Sequence, residues 1–341
     1  MNVQGQFLRG PGIGGSGGSD GSVIGEIIID GGTVVAKGAD AAPDIGVARI
    51  AGNFNDPNRR LGKITINGGN ITAIGGDQYD HYYGGPGIGT TTTPFDSITI
   101  SGGNVTATGG YGAAGIGSGI NNFATGICTG DSIVISGGTV TATGDYVAPG
   151  IGSYGMQCYI TDVIIENSNV TVQGDAEKVG DGIAGVVNVT ITNAAITSND
   201  VKNSVQTGGT VLIEGESAEM NLSGTQYAID ADNVTINQHA TTYLGGENVA
   251  VDAYSVTISD AIMLRAYTSN GSKAIEGTQT TLDNEAGKDN TYLATSGLVP
   301  QTSDLVPFAP GDNKLTSAKW SFVDPNLTLE NEGNDPYCVR K

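Results

Sequence analysis

One repeated unit decides what this chain folds into. At residues 97–109 it reads S-I-T-I-S-G-G-N-V-T-A-T-G, and it closes on Gly115-Ile116-Gly117. The opening I-x-I element returns at Ile27, Ile64, Ile98, Ile133, Val163, Val189, Val211, Val234 and Val256. A second alternating run follows each turn, as VVAKG, ITAIG, VTATG, VTATG and VTVQG. The third element is centred on Ile13, Ile45, Ile88, Ile116, Ile151 and Ile183, and keeps only its shape at Val205, Ile229, Val251 and Ile275.

The spacings separate framework from insertion. The interval from first-strand residue to third-element residue is 18 from Ile27 to Ile45, Ile98 to Ile116, Ile133 to Ile151 and Val211 to Ile229. It stretches to 24 from Ile64 to Ile88. The interval from the third element to the next first strand varies, from 19 after Ile45 to 5 after Ile229 and Val251. The bare unit is therefore 22 or 23 residues, with insertions at one corner of the N-terminal half.

Three short strands per unit predict an all-β chain, a right-handed parallel β-helix (β-solenoid) of about ten turns. A single coil cannot bury its own apolar face, so coils must stack. Alternation points Ile98, Ile100, Val105, Ala107 and Ile116 inward and Thr99, Thr106, Thr108, Gly115 and Gly117 outward. The period fades near Thr280, and the remainder holds the only Trp, Trp320, and five of the 11 Pro. We expect a helix over residues 1–279 and an irregular C-terminal cap over 280–341 that covers the last strand edge.

Composition narrows function. Gly supplies 55 of 341 residues, yet hydrophobic residues at 38% still allow a core. The net charge of −20 opposes nucleic acid and anionic membranes as partners. No apolar run is long enough to span a bilayer, so membrane insertion is not expected. The start, MNVQGQFLRG, does not read as a signal peptide. The Gly/Thr/Asn-rich repeats point to an extracellular or cell-surface location with the leader removed.

A surface track carries the expected binding chemistry. Gly12, Gly87, Gly115 and Gly150, with Gly14, Gly46, Gly89, Gly117 and Gly152 beside them, form a strip of small residues. It is either a groove floor for a flat ligand or relief of crowding at a bend. On one side, insertions hold Arg49, Phe54, Asp56, Arg59 and Arg60, then Phe95, Phe123, Tyr154 and Tyr159. On the other lie Tyr79, Asp80, His81, Tyr82 and Tyr83, then Tyr111 and Tyr146. Loops added to one face of a solenoid commonly form its binding face. Aromatic walls over a polar floor suit a glycan, with Arg49, Arg59, Tyr79, Tyr82, Tyr83, Gly87, Gly115, Tyr111 and Tyr146 as its contacts.

Acid/base candidates fall in two places. Asp44 replaces a strip Gly and is expected on the groove floor, near Asp77, Asp80 and His81 of the next turn. In the C-terminal turns the second Gly column becomes Ala184, Gln206, Asp230, Asp252 and Glu276. Carboxylates on successive turns would stand about 4.8 Å apart. That spacing suits a glycosidase pair, oxygen ligation of Ca²⁺, or simply solvated side chains splayed apart. No cofactor is otherwise implied, and two His, His81 and His239, are too few for a histidine metal site.

Cys128 and Cys158 each precede their first-strand residue by five and should stack on adjacent turns, as a disulfide or as a free pair. The VTATG copies set Thr106/Thr108 and Thr141/Thr143 outward. Long flat arrays of that kind order water in ice-binding solenoids. Here Val35/Lys37, Ile74 and Gln173 in neighbouring turns break the array.

The I-T-I-S-G-G-x-V-T-A-T-G … G-I-G pattern resembles repeats in large secreted or wall-attached proteins of Gram-positive gut bacteria, grouped as carbohydrate-binding or adhesin-like. The resemblance runs from Gly12 to Gly174 and more loosely to Glu276. It implies a surface glycan-binding solenoid and carries no catalytic motif. The alternative from a different class is a β-helix glycoside hydrolase, or related carbohydrate-active enzyme, using an Asp/Glu pair.

Overall fold

In the computed structural model the repeat winds into a parallel β-helix. The structure describes all residues except 5–9, 16–23, 49–59, 78–83, 120–127, 156–157, 176–178, 238–239, 260–262, 269–274, 284–290, 297–312, 316–326, 333–334 and 341.

Three faces follow from the three elements of the unit. The first face begins with strands Ile24–Ile29, Leu61–Ile66, Phe95–Ile100, Cys128–Ile135 and Cys158–Glu166. Its register aligns Ile27, Ile64, Ile98, Ile133, Val163, Val189, Val211, Val234, Val256 and Thr280 in one column. The second face holds Thr33–Lys37, Asn70–Ile74, Asn104–Thr108, Thr139–Thr143, Asn169–Gln173 and Ala195–Asn199. The third face stacks Ile13, Ile45, Ile88, Ile116, Ile151, Ile183, Val205, Ile229, Val251 and Ile275.

The alternation does what the pattern requires. Ile98, Ile100, Val105, Ala107 and Ile116 are buried, with Ile and Val filling the interior and Ala where the faces converge. Each buried Ile or Val supplies roughly 1.5–3 kcal/mol of transfer free energy, and it does so only when coils above and below complete its surroundings. Phe95, expected in a loop wall, is 1% exposed and belongs to this core. Its ring lies where a Cβ on Gly130 of the next coil would fall, 2.2 Å from Cζ, so the Gly makes room for the ring.

The two halves differ at the corners. In the N-terminal half the third-face strands are short: Ile45–Val47, Ile88–Thr90, Ile116–Ser118 and Ile151–Gly152. In the C-terminal half third and first faces fuse into single strands, Ile183–Thr192, Val201–Glu214, Glu219–Ile236 and Val249–Ser259. This is the bare unit of 22 or 23 residues with its insertion removed.

Parallel pairing continues past residue 279. Strand Ile275–Asp283 stacks on Val249–Ser259, and Thr291–Ser296 stacks on Met263–Thr268. Asn313–Leu315 then pairs antiparallel with Thr280 to Leu282, and Leu327–Glu332 forms a hairpin with Asp335–Arg340. Cys128 and Cys158 are register partners, and Cys158 is disulfide-bonded.

Candidate functional site

The Gly strip is not an open floor. Gly87, Gly89, Gly115 and Gly117 are buried, not outward as alternation suggested. A Cβ on Gly115 would lie 2.7 Å from the Thr143 amide nitrogen and 2.8 Å from the Gly150 carbonyl oxygen. The second column is tighter. Gly14, Gly46, Gly89, Gly117 and Gly152 have φ from 127° to 146°, a region that is essentially Gly-only. A Cβ on Gly46 would fall 1.7 Å from the carbonyl oxygen of Gly89, and one on Gly117 2.0 Å from that of Gly152. The strip therefore marks a sharp corner where backbones of successive coils touch.

Asp44 is likewise buried, at 0% exposure, and does not face a groove. Its Oδ1 accepts a hydrogen bond from the Gly38 amide, closing the corner of its own coil, while Oδ2 is buried without a partner. Burial raises its pKa to about 7, opposed by the Gly38 hydrogen bond and by Lys37. Asp181 plays a related part further on. Its Oδ1 accepts from the Asn203 amide at 3.1 Å and from Asn203 Nδ2 at 2.9 Å. Burial pushes that carboxyl up, with Lys202 and Asn203 opposing.

Exposed chemistry sits at the corner that follows the second face. There Tyr111 and Tyr146, on adjacent coils, stack with ring centroids 4.6 Å apart and planes 30° apart. Both residues are half-buried. Tyr146 holds a left-handed backbone, φ 61°, which is costly for a bulky residue. The Asp145 carboxylate secures it by accepting the Tyr146 amide at 2.6 Å.

Asp145 also faces Asp175 of the next coil. Burial raises the Asp145 carboxyl above its ordinary range; the Tyr146 amide opposes this, and Asp175 and Asp77 push further upward. A side-chain hydrogen bond with Asp175 adds to the same upward push on Asp145, so the two side chains meet across adjacent coils. Sequence reading missed this pair. The signal was present: Gly144-Asp145 and Gly174-Asp175 follow the register pair Thr143 and Gln173 at the same offset.

The same corner opens into a cleft of about 560 Å³ beginning at Gln173. Its lining includes Asn199, Asp200, Ser223, Thr225 and Glu247. At its base the buried hydroxyls of Ser198 and Ser204 bond at 2.7 Å, and Ser198 Oγ accepts from the Ser223 amide at 2.8 Å.

Arg49, Phe54, Asp56, Arg59, Tyr79, Asp80, His81, Tyr82, Tyr83, Phe123 and His239 lie outside the described residues. Tyr154 and Tyr159 are exposed, and Tyr159 lies on the first-face strand Cys158–Glu166 rather than in a loop wall. Asp230, Asp252 and Glu276 are register partners on successive third-face coils. Gln206 Nε2 donates to Asp230 Oδ2 at 3.2 Å, tying the row to the amide before it. Among the described residues no group of three or more His, Cys, Asp or Glu is arranged to hold a metal ion. Arg60, from the opposite insertion, bridges Asp96 at 2.5 Å and Asp131 at 3.2 Å on the first face.

A beta helix repeat family matches at residues 64–91, 98–120 and 133–156, the three coils that carry Tyr111 and Tyr146 or lead into them. No curated protein and no solved structure matches the chain.

Proposed function

We propose that this chain is a glycan-recognising β-helix, a module of an extracellular or cell-surface protein, binding at the corner after the second face. The main support is the Tyr111–Tyr146 stack fixed beside Asp145 and Asp175. Half-buried tyrosine rings offer π faces to the C–H faces of sugars, and the neighbouring carboxyls and Asn199 accept from or donate to hydroxyls. A strained backbone at Tyr146, held by its own neighbour's side chain, is the kind of local cost that persists at binding sites. The beta helix repeat fits a surface module of this kind.

A second reading rests on the Asp145–Asp175 pair. Glycoside hydrolysis uses two carboxyls about 5–9.5 Å apart; Asp145, whose carboxyl burial pushes up, would supply the general acid, and Asp175 would have to swing out of its contact with Asp145 to serve as the second carboxylate. One experiment addresses both readings: a glycan array probed with the whole chain, with reducing-sugar release measured on every bound glycan. Binding without release supports recognition. Release that disappears in Asp145→Asn or Asp175→Asn moves the chain to the hydrolases. An array with no bound glycan contradicts both.

A further inference from the structure

The second face carries a feature that the corner site does not use. Its outward positions align Thr72, Thr106, Thr141, Thr171 and Thr197 in one unbroken column over five coils. Two further outward columns flank it, from Asn70 to Ala195 and from Ile74 to Asn199. All of these side chains are exposed or half-exposed. None of them is charged, and all but Ile74 and Ala195 are hydroxyl or amide residues. The chain carries 35 acidic and 15 basic residues, and the first face bears Lys63, Asp162, Glu166 and Glu214 at its own surface. Over these five coils the second face is uncharged; charge returns in the same columns at Lys37 before them and Glu219 after them.

We propose that this face docks an uncharged, extended polysaccharide laid along the helix axis. Three properties select that occupant. With no charged side chain over these five coils, the face offers an ionic ligand no direct ion-pair partner and leaves hydroxyl and amide groups to pair with hydroxyls. Successive coils repeat about every 4.8 Å, so an extended sugar chain meets a fresh threonine hydroxyl on the scale of one residue. Threonine is stiff at χ1, so its hydroxyls are ordered before the ligand arrives and little entropy is lost on binding. The column from Ile74 to Gln173 borders the Tyr111–Tyr146 corner directly, which makes the face continuous with the site above. The proposal rests on the glycan reading and adds its substrate class: a neutral, extended chain.

The test is co-sedimentation of the whole chain with microcrystalline cellulose and with chitin particles, with polygalacturonate immobilised on particles as the acidic control. The expected result is sedimentation with a neutral particle, unchanged between low and high salt. A Thr106→Val/Thr141→Val variant keeps β-branched side chains but lacks two hydroxyls, and it should bind about tenfold more weakly. A Thr106→Asp/Thr141→Asp variant should lose sedimentation, while Thr99→Asp, at an outward position of the first face, should keep it. Undiminished sedimentation of both threonine variants overturns the proposal, as does binding to polygalacturonate alone. Inhibition of ice growth without polysaccharide binding also overturns it, in favour of an ordered water layer. The glycan reading is judged separately, by soluble-oligosaccharide binding at Tyr111 and Tyr146.

Discussion

The N-terminal coils and the C-terminal coils share a core and differ at their corners. Ile133 and Val234 occupy the same buried column, and so do Ile116 and Ile229. The third face diverges: Gly46, Gly89, Gly117 and Gly152 line it in the first half, and Ala184, Gln206, Asp230 and Asp252 in the second. Where Gly stands, the strand is two or three residues long and the chain leaves into an insertion. Where larger residues stand, the strand runs on into the first face. The core is indifferent to this choice. Corner geometry decides which coils can bear extra chain, and the tyrosine stack occurs in the half that can.

The largest expected effect tests that contrast directly. Gly117→Ala sets a Cβ 2.0 Å from the Gly152 carbonyl oxygen at a φ of 133°, so backbone must move. It should destabilise by about 4 kcal/mol, strain and overpacking combined. Gln206→Ala, at the equivalent place in the other half, should cost less than about 1 kcal/mol. Denaturant midpoints measure both, and equal losses would break the comparison.

The core should treat both halves alike. Ile100→Ala and Ile213→Ala, each 0% exposed in the same face, should each cost about 2–5 kcal/mol in the same measurement. A large loss in one half only would mean that the coils do not share one cooperative core.

Asp44 gives a smaller, pH-dependent effect. Its pKa rises from 3.8 in the unfolded chain to about 7 in the fold, so between those values the folded chain holds a proton that the unfolded chain releases. Its contribution is complete below pH 3.8, falls as pH climbs toward about 7, and is flat above that. Asp44→Asn should remove this slope from the stability profile between those pH values. An unchanged slope would show that Asp44 is not the titrating group.

The smallest effect belongs to Arg60. Its side chain is 34% exposed, and its partners Asp96 and Asp131 are 41% and 71% exposed. Arg60→Ala should cost about 0–1 kcal/mol, less at high salt, as surface ion pairs do.

Most of the fold is legible in the repeat because period-2 alternation and an interval that returns to 18 residues in four coils leave few arrangements that bury every Ile. All nine first-strand residues named from the sequence, Ile27 through Val256, align in one column. The corner was harder to read. Alternation assumes an extended strand, and Gly117 at φ 133° leaves that assumption, so its predicted outward direction became burial. Asp44 misled for the same reason: it fills a corner position where the side chain turns toward the Gly38 amide. Tyr111 and Tyr146 were found as aromatics flanking the strip, but their contact depends on the positive φ at Tyr146, which no local pattern announces. The Asp145–Asp175 pair was within reach, because it needs only the register of the second face carried two residues past its end.

Ligand recognition at the tyrosine corner of the N-terminal half is the proposal on which the functional contrast between the halves depends. Isothermal titration of the whole chain with a soluble neutral oligosaccharide tests it, comparing the natural sequence with Tyr111→Ala/Tyr146→Asn. The Asn tolerates the left-handed backbone while removing the ring. Measurable binding is expected, weakened at least about tenfold in the variant with the melting temperature little changed. Equal affinity in the two proteins would contradict it.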